Sequence, residues 1–161
     1  MTATACPGPA EWKVLVVDDQ PDMLEVTRLV FDDLEFEGRP VQVLTAASER
    51  EARNVIDEVQ DIAVAYIDVV METEHAGLDL VRHVRDDLRN QHMRLILRTG
   101  NPGAARRDHV VRHLDIDDFR EKPELTAERL EISLLTSLRA YRRLCQCCGL
   151  PGTPPRAAAA A

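Results

Sequence analysis

The sequence predicts an α/β fold in which helices cover both faces of a doubly wound, five-stranded parallel sheet. Three observations predict it. Short apolar runs rich in Val, Ile and Leu recur along the chain, segments of helical periodicity separate them, and polar residues stand at the ends of several runs. Alternating strands and helices joined by right-handed crossovers build such a sheet, and its sites lie at the carboxyl ends of the strands.

The first strand is KVLVV, Lys13 to Val17, which stops at Asp18 and Asp19. Asp22 to Leu34 follows as a helix, and VQVLTA from Val41 is the second strand. Ser48 and Glu51 form a capping box, after which Ala52, Val55, Ile56 and Val59 return at helical intervals. The third strand, IAVAYI from Ile62, runs into Asp68, and Leu78 to Leu88 reads as the next helix. RLILRT from Arg94 is the fourth strand, Arg106 to Leu114 a short helix, and IDDF from Ile116 the fifth strand. Thr126 to Leu144 closes the fold as a helix with one apolar stripe, Leu130, Leu134, Leu138 and Tyr141. The expected organisation is a flexible segment over 1–11, one folded domain over 12–144, and a low-complexity, disordered tail over 145–161.

Composition bounds the function. Hydrophobic residues make up 45% of the 161 and charged residues 30%, as in an ordinary globular protein. The 20 Lys and Arg against 28 Asp and Glu give a net charge of -8, the wrong sign for gripping a phosphate backbone, so no direct nucleic-acid binding is expected. No apolar run is long enough to cross a bilayer, and MTATACPGPAEW lacks the features of a signal peptide, so the expected location is cytoplasmic, away from the membrane. Cys6, Cys145, Cys147 and Cys148 all lie outside the expected core and make no disulfide framework, and the Cys-x-Cys-Cys cluster lacks the second pair of a zinc site.

The chemistry gathers at the strand ends. Asp18 and Asp19 follow the first strand, Asp68 the third, Thr99 the fourth and Lys122 the fifth. Taken singly, Asp18-Asp19 ahead of Pro21 reads as a helix cap and Thr99-Gly100 as a turn. Jointly they make a phosphoryl site: three carboxylates need a hard cation, oxygen-only ligands point to Mg2+, and Lys122 and Thr99 can hold phosphoryl oxygens. Gly100 leaves space for them.

This DD, D, T and K pattern resembles the receiver domains of response regulators in two-component systems, chemotaxis-type switches with a flavodoxin-like (βα)5 fold. The resemblance covers about residues 12 to 144 and extends to the Lys122-Pro123 pair and to Phe119, three residues before the lysine. It implies that Asp68 is the phosphoacceptor, that Asp19 and Asp68 bind Mg2+ directly and Asp18 through water, and that the Val70 carbonyl completes the set. It further implies that Thr99 and Phe119 move on activation, that Lys122 pairs with the phosphoaspartate, and that the donor is a sensor histidine kinase or phosphotransfer protein. A finer similarity, carried by EFEGRP, DVVMETEHAGL and LRTGNPG, is to N-terminal receivers of bacterial regulators that turn over cyclic di-GMP. On this reading the chain is a signalling switch, not an enzyme. It begins at Met1 as a short complete protein would, while the change of composition after Leu144 equally suits a fragment.

Some positions depart from the family. The usual proline four residues after the acceptor is Glu72, Gly77 comes one residue late, and Arg120 and Glu121 charge a strand that is commonly apolar, which an edge position or a dimer contact would accommodate. Val70 stands where many relatives place a polar residue that orients water, so slow autodephosphorylation is expected, with Asn101 as a second modulator of lifetime. A homodimer through the last helix face is a further expectation. Two other functions compete: a receiver-like binding module that no longer takes phosphate, and a haloacid-dehalogenase-like phosphatase, whose second aspartate is replaced here by Val70.

Overall fold

The structure, a computed structural model, describes residues 10–100 and 107–148. Its strands are β1 (Trp12–Val17), β2 (Glu35–Phe36), β3 (Arg39–Ala46), β4 (Ile62–Asp68), β5 (Arg94–Thr99) and β6 (Asp118–Glu121). The helices are α1 (Pro21–Asp32), α2 (Glu49–Glu58), α3 (Ala76–Arg82), α4 (Arg107–His113) and α5 (Ala127–Cys148). A wider turn over His83–Asp87 continues α3, with the Leu88 N–H donating to the His83 carbonyl at 2.9 Å.

The sheet order is β2-β3-β1-β4-β5-β6, and every pairing except β2 with β3 is parallel. The five parallel strands are the expected doubly wound set. The sixth was not expected. It is two residues long and antiparallel, because Glu37 and Gly38 both adopt left-handed φ, 53° and 72°, and so fold EFEGRP into a tight hairpin.

Strand alternation divides the core. Leu15, Val17, Ile67, Leu95, Leu97 and Phe119 pack against Ala52, Ile56, Leu80 and Val110 of α2, α3 and α4. On the opposite face Val14, Val16, Tyr66 and Ile96 meet Phe31 of α1 and Leu130, Leu134 and Leu138 of α5. The Ser48 cap forms as expected, with the Glu51 N–H donating to Ser48 Oγ at 3.1 Å, while Glu51 Oε2 accepts the Ala47 N–H at 2.8 Å, one residue before the N-cap N–H of a capping box.

Two boundary differences from expectation have side-chain causes. The last strand begins at Asp118 rather than Ile116, because the Asp117 carboxylate takes the Leu95 N–H at 2.7 Å and its own N–H reaches the Leu95 carbonyl at 2.8 Å. Helix α5 runs four residues past Leu144, since Cys145 continues the stripe of Leu138 and Tyr141 and is buried, which also corrects the expectation of cysteines outside the core. The hairpin meets this late turn of α5: Trp12 packs edge-on against Phe36 and Tyr141, Trp12 Nε1 donates to the Phe36 carbonyl at 2.8 Å, and Arg142 pairs with Glu37. The expectations for residues 1–9 and 149–161 lie outside the described residues.

As an edge strand, β6 tolerates charge: Arg120 faces solvent and pairs with Asp118 at 2.7 Å. No described helix is long and apolar enough to cross a membrane.

Candidate functional site

Five parallel strands end on one edge of the sheet, and three of those ends deliver the acidic residues and the lysine. Asp18 follows β1, the neighbouring strand β4 ends on Asp68, and Lys122 opens a single 3-10 turn, Lys122–Glu124, after β6. Asp18 and Asp68 are buried and Asp19 is exposed, and carboxylate oxygens of all three lie within 4.8 Å of one another. Lys122 Nζ bridges the buried pair, 2.8 Å from Asp18 Oδ2 and 2.8 Å from Asp68 Oδ2. Oδ1 of Asp18 accepts the Gln20 N–H at 3.0 Å, so both of its oxygens are engaged.

Burial pushes the Asp68 carboxyl above its ordinary value, the hydrogen bond and charge of Lys122 pull it down, and the charge of Asp18 raises it again. Lys122 is thus the main group that opposes the effect of burial on this carboxylate. Thr99 ends β5 beside it, almost wholly buried and on the face of Leu95 and Leu97. Phe119 lies on that same face, paired in register with Leu97 and buried near Val110 of α4. Gly100 does leave room, since a Cβ there would meet only Lys122 Cδ, at 3.7 Å.

Val70 donates its N–H to Asp68 Oδ1 at 3.4 Å, while its side chain packs partly buried on the core. Asn101 lies outside the described residues. The loop after Asp68 departs from its relatives without losing its footing. Glu72 turns to helix α2, where its Oε1 accepts the Glu49 N–H at 2.8 Å. Gly77 N–H donates to the Val69 carbonyl at 3.1 Å, and a Cβ at this position would sit 2.2 Å from the Asp68 carbonyl oxygen. Only glycine allows that approach.

The sequence reading missed Arg98. This residue pairs with Asp68 in the β4–β5 register, and alternation turns its side chain to the face opposite Thr99. It is completely buried, with NH1 donating to Thr27 Oγ1 at 2.9 Å and NH2 3.5 Å from Asp18 Oδ2. An arginine directly after the apolar run Leu95–Leu97 and one residue before a strand-end hydroxyl was the available signal.

No protein-family model matches the chain. A response regulator receiver domain from Clostridium thermocellum is similar in structure, with a TM-score of 0.66 and 26% identity, covering 83% of this chain and 98% of that one. A response regulator receiver protein from Pseudomonas putida gives 0.63 and 29%, over 78% of this chain and 97% of that one. The fold is that of response-regulator receiver domains. Its acidic cluster, lysine and strand-end hydroxyl sit where that fold carries its site. The chain is also 51% identical over 134 residues to the 3'3'-cGAMP-specific phosphodiesterase 2 of Vibrio cholerae serotype O1, a match that spans 83% of this chain and 26% of that protein. The finer similarity is to receivers of regulators that turn over cyclic di-GMP; the matched protein is named for 3'3'-cGAMP, so the two agree at the level of cyclic-dinucleotide regulators.

Proposed function

We propose that the domain takes a phosphoryl group onto Asp68 from a sensor histidine kinase or phosphotransfer protein and changes conformation in response. The observation that carries this reading is Lys122 Nζ held 2.8 Å from both Asp18 and Asp68, with Asp19 exposed beside them. An oxygen of the Asp68 carboxylate attacks phosphorus, an O–P bond forms, and the P–N bond of the donor phosphohistidine breaks.

The donor set fits Mg2+: three carboxylates with an exposed member offer oxygen ligands and an approach from solvent. When bound, Mg2+ supplies positive charge that offsets the carboxylates and the transferring phosphoryl oxygens. Asp19 and Asp68 would hold the ion directly, Asp18 would hold it through water, and the Val70 carbonyl would complete the protein's share. Lys122 then moves from Asp68 to a phosphoryl oxygen, the Thr99 hydroxyl follows, and Phe119 shifts within the β5–β6 face to fill the space. Val70 offers no group to orient a hydrolytic water, which favours a long-lived phosphoaspartate.

The cytoplasm is the compartment of such a kinase-driven switch. The match to a quarter of a 3'3'-cGAMP-specific phosphodiesterase supports cyclic-dinucleotide turnover as the process regulated. A homodimer through α5 and the β6 edge is the assembly we infer for the phosphorylated state, on the strength of exposed Ile132 beside a groove of about 530 Å³ lined by Arg94, Asp118, Arg120 and Arg129.

Intact mass measurement after incubation with acetyl phosphate and Mg2+ tests the reading. The expected result is one added phosphoryl group in the wild type, absent without Mg2+ and absent in Asp68→Ala. Failure of the wild type to gain mass, or a gain that survives Asp68→Ala, overturns it.

A further inference from the structure

We propose that Arg98 is a positioning residue of the acceptor pocket, a fixed cation that holds Asp18 in place and offsets one carboxylate charge, so that a divalent ion binds with moderate affinity. This rests on the reading of Asp18, Asp19 and Asp68 as the ion's ligands.

Packing does not explain an arginine at this position. The side chain is 0% exposed, in a strand whose preceding residues are Leu95, Ile96 and Leu97, and a fourth aliphatic residue would fill the site without the cost of burying a guanidinium. Nor are its hydrogen bonds complete, because its Nε is buried without a partner. What the guanidinium does touch is Thr27 Oγ1 at 2.9 Å, Asp18 Oδ2 at 3.5 Å and the face of Tyr66, 5.7 Å from the ring centroid. Asp18 alone among these carries a charge.

Two cations therefore share Asp18, and they are held differently. Lys122 is 10% exposed at the mouth of the pocket and also bonds Asp68, so it is free to follow a phosphoryl group. Arg98 is tethered to α1 through Thr27, whose hydroxyl in turn donates to the Met23 carbonyl at 2.7 Å. When Lys122 leaves Asp18, Arg98 stays. Against the three clustered carboxylates, Lys122 and Arg98 together leave one net negative charge, whereas Lys122 alone would leave two. A divalent ion feels that difference twice over.

The test is Mg2+ affinity of the full, unphosphorylated chain by calorimetric titration, with wild type, Arg98→Lys, Arg98→Met and Arg98→Gln. The neutral Met and Gln variants should bind Mg2+ about tenfold more tightly, the scale of one unit charge in a partly screened site, and Arg98→Lys should restore wild-type affinity. Unchanged or weaker binding in both neutral variants overturns the proposal. If those variants do not fold, recovery of their circular dichroism by Mg2+ but not by NaCl supports it, because the ion then replaces the missing cation. Unfolding that Mg2+ does not reverse overturns it and leaves Arg98 a structural ion pair. Labelling of wild-type Asp68 stands apart from all these outcomes, so the acceptor reading and the role of Arg98 can fail independently.

Discussion

Asp68 is a charge kept in an unfavourable place. Burial raises its pKa above the ordinary 3.8, so the ionised form costs the metal-free domain stability. The cost is absent below the ordinary value, grows as pH rises from there to the raised folded-state value, and is full above it. Asp68→Asn should therefore melt at a higher temperature than wild type in EDTA at pH 7, with the gain vanishing toward about pH 4. Thermal melts across that range check it, and a gain that persists at the acid end would assign it to packing. Lys122 keeps Asp18 as a partner in this variant. The pocket residues Asp18, Asp19, Asp68, Thr99 and Lys122 were legible in the sequence, since each ends or follows an apolar run. Arg98 was not, because the second arginine of RLILRT does not tell which face it takes until the strand on either side is known.

At the scale of elements, the β4–α3 loop is held at both of its ends. Glu72 caps α2 and Gly77 lies against the Asp68 carbonyl, so the loop is tied to a helix on one side and to the acceptor on the other. Gly77→Ala forces a Cβ to 2.2 Å from that oxygen and must displace either the loop or the acceptor. We expect a loss of about 2 kcal/mol or more in urea denaturation, with slower labelling by acetyl phosphate. A folded variant with wild-type stability would show that the loop yields freely. Strand and helix periods located nearly every element, and the boundaries failed where a side chain replaced the backbone, as Asp117 does ahead of β6. The β2–β3 hairpin was missed because two residues are too few for a period, and its only marker was Gly38.

For the whole molecule, the sheet has two unlike edges. The β2 edge is short and turned to α5, whereas the β6 edge is four residues long and open, with Arg120 exposed and Ile132 of α5 55% exposed nearby. An open edge beside an apolar side chain is the surface on which two copies can meet. Sedimentation of the protein with beryllofluoride and Mg2+ should show a dimer, and Ile132→Arg should hold it monomeric. A wild-type monomer under those conditions counts against this face. A net charge of -8 means that such pairing requires local complementarity, here the alternating Arg94, Asp118, Arg120 and Arg129.

The aromatic contact between the hairpin and the last helix has an optical consequence. Trp12 is the single tryptophan of the chain, and it opens β1 while the acceptor pocket lies beyond that strand's other end, roughly 20 Å away for six residues. Its indole is shielded from water, with the Arg39 guanidinium 5.4 Å from the ring centroid. Intrinsic emission should stay constant as Mg2+ is added and shift to the red only when the Phe36–Tyr141 enclosure opens. Light emitted by this protein reports the seating of its last helix on the hairpin, and it is dark to the chemistry at the opposite pole.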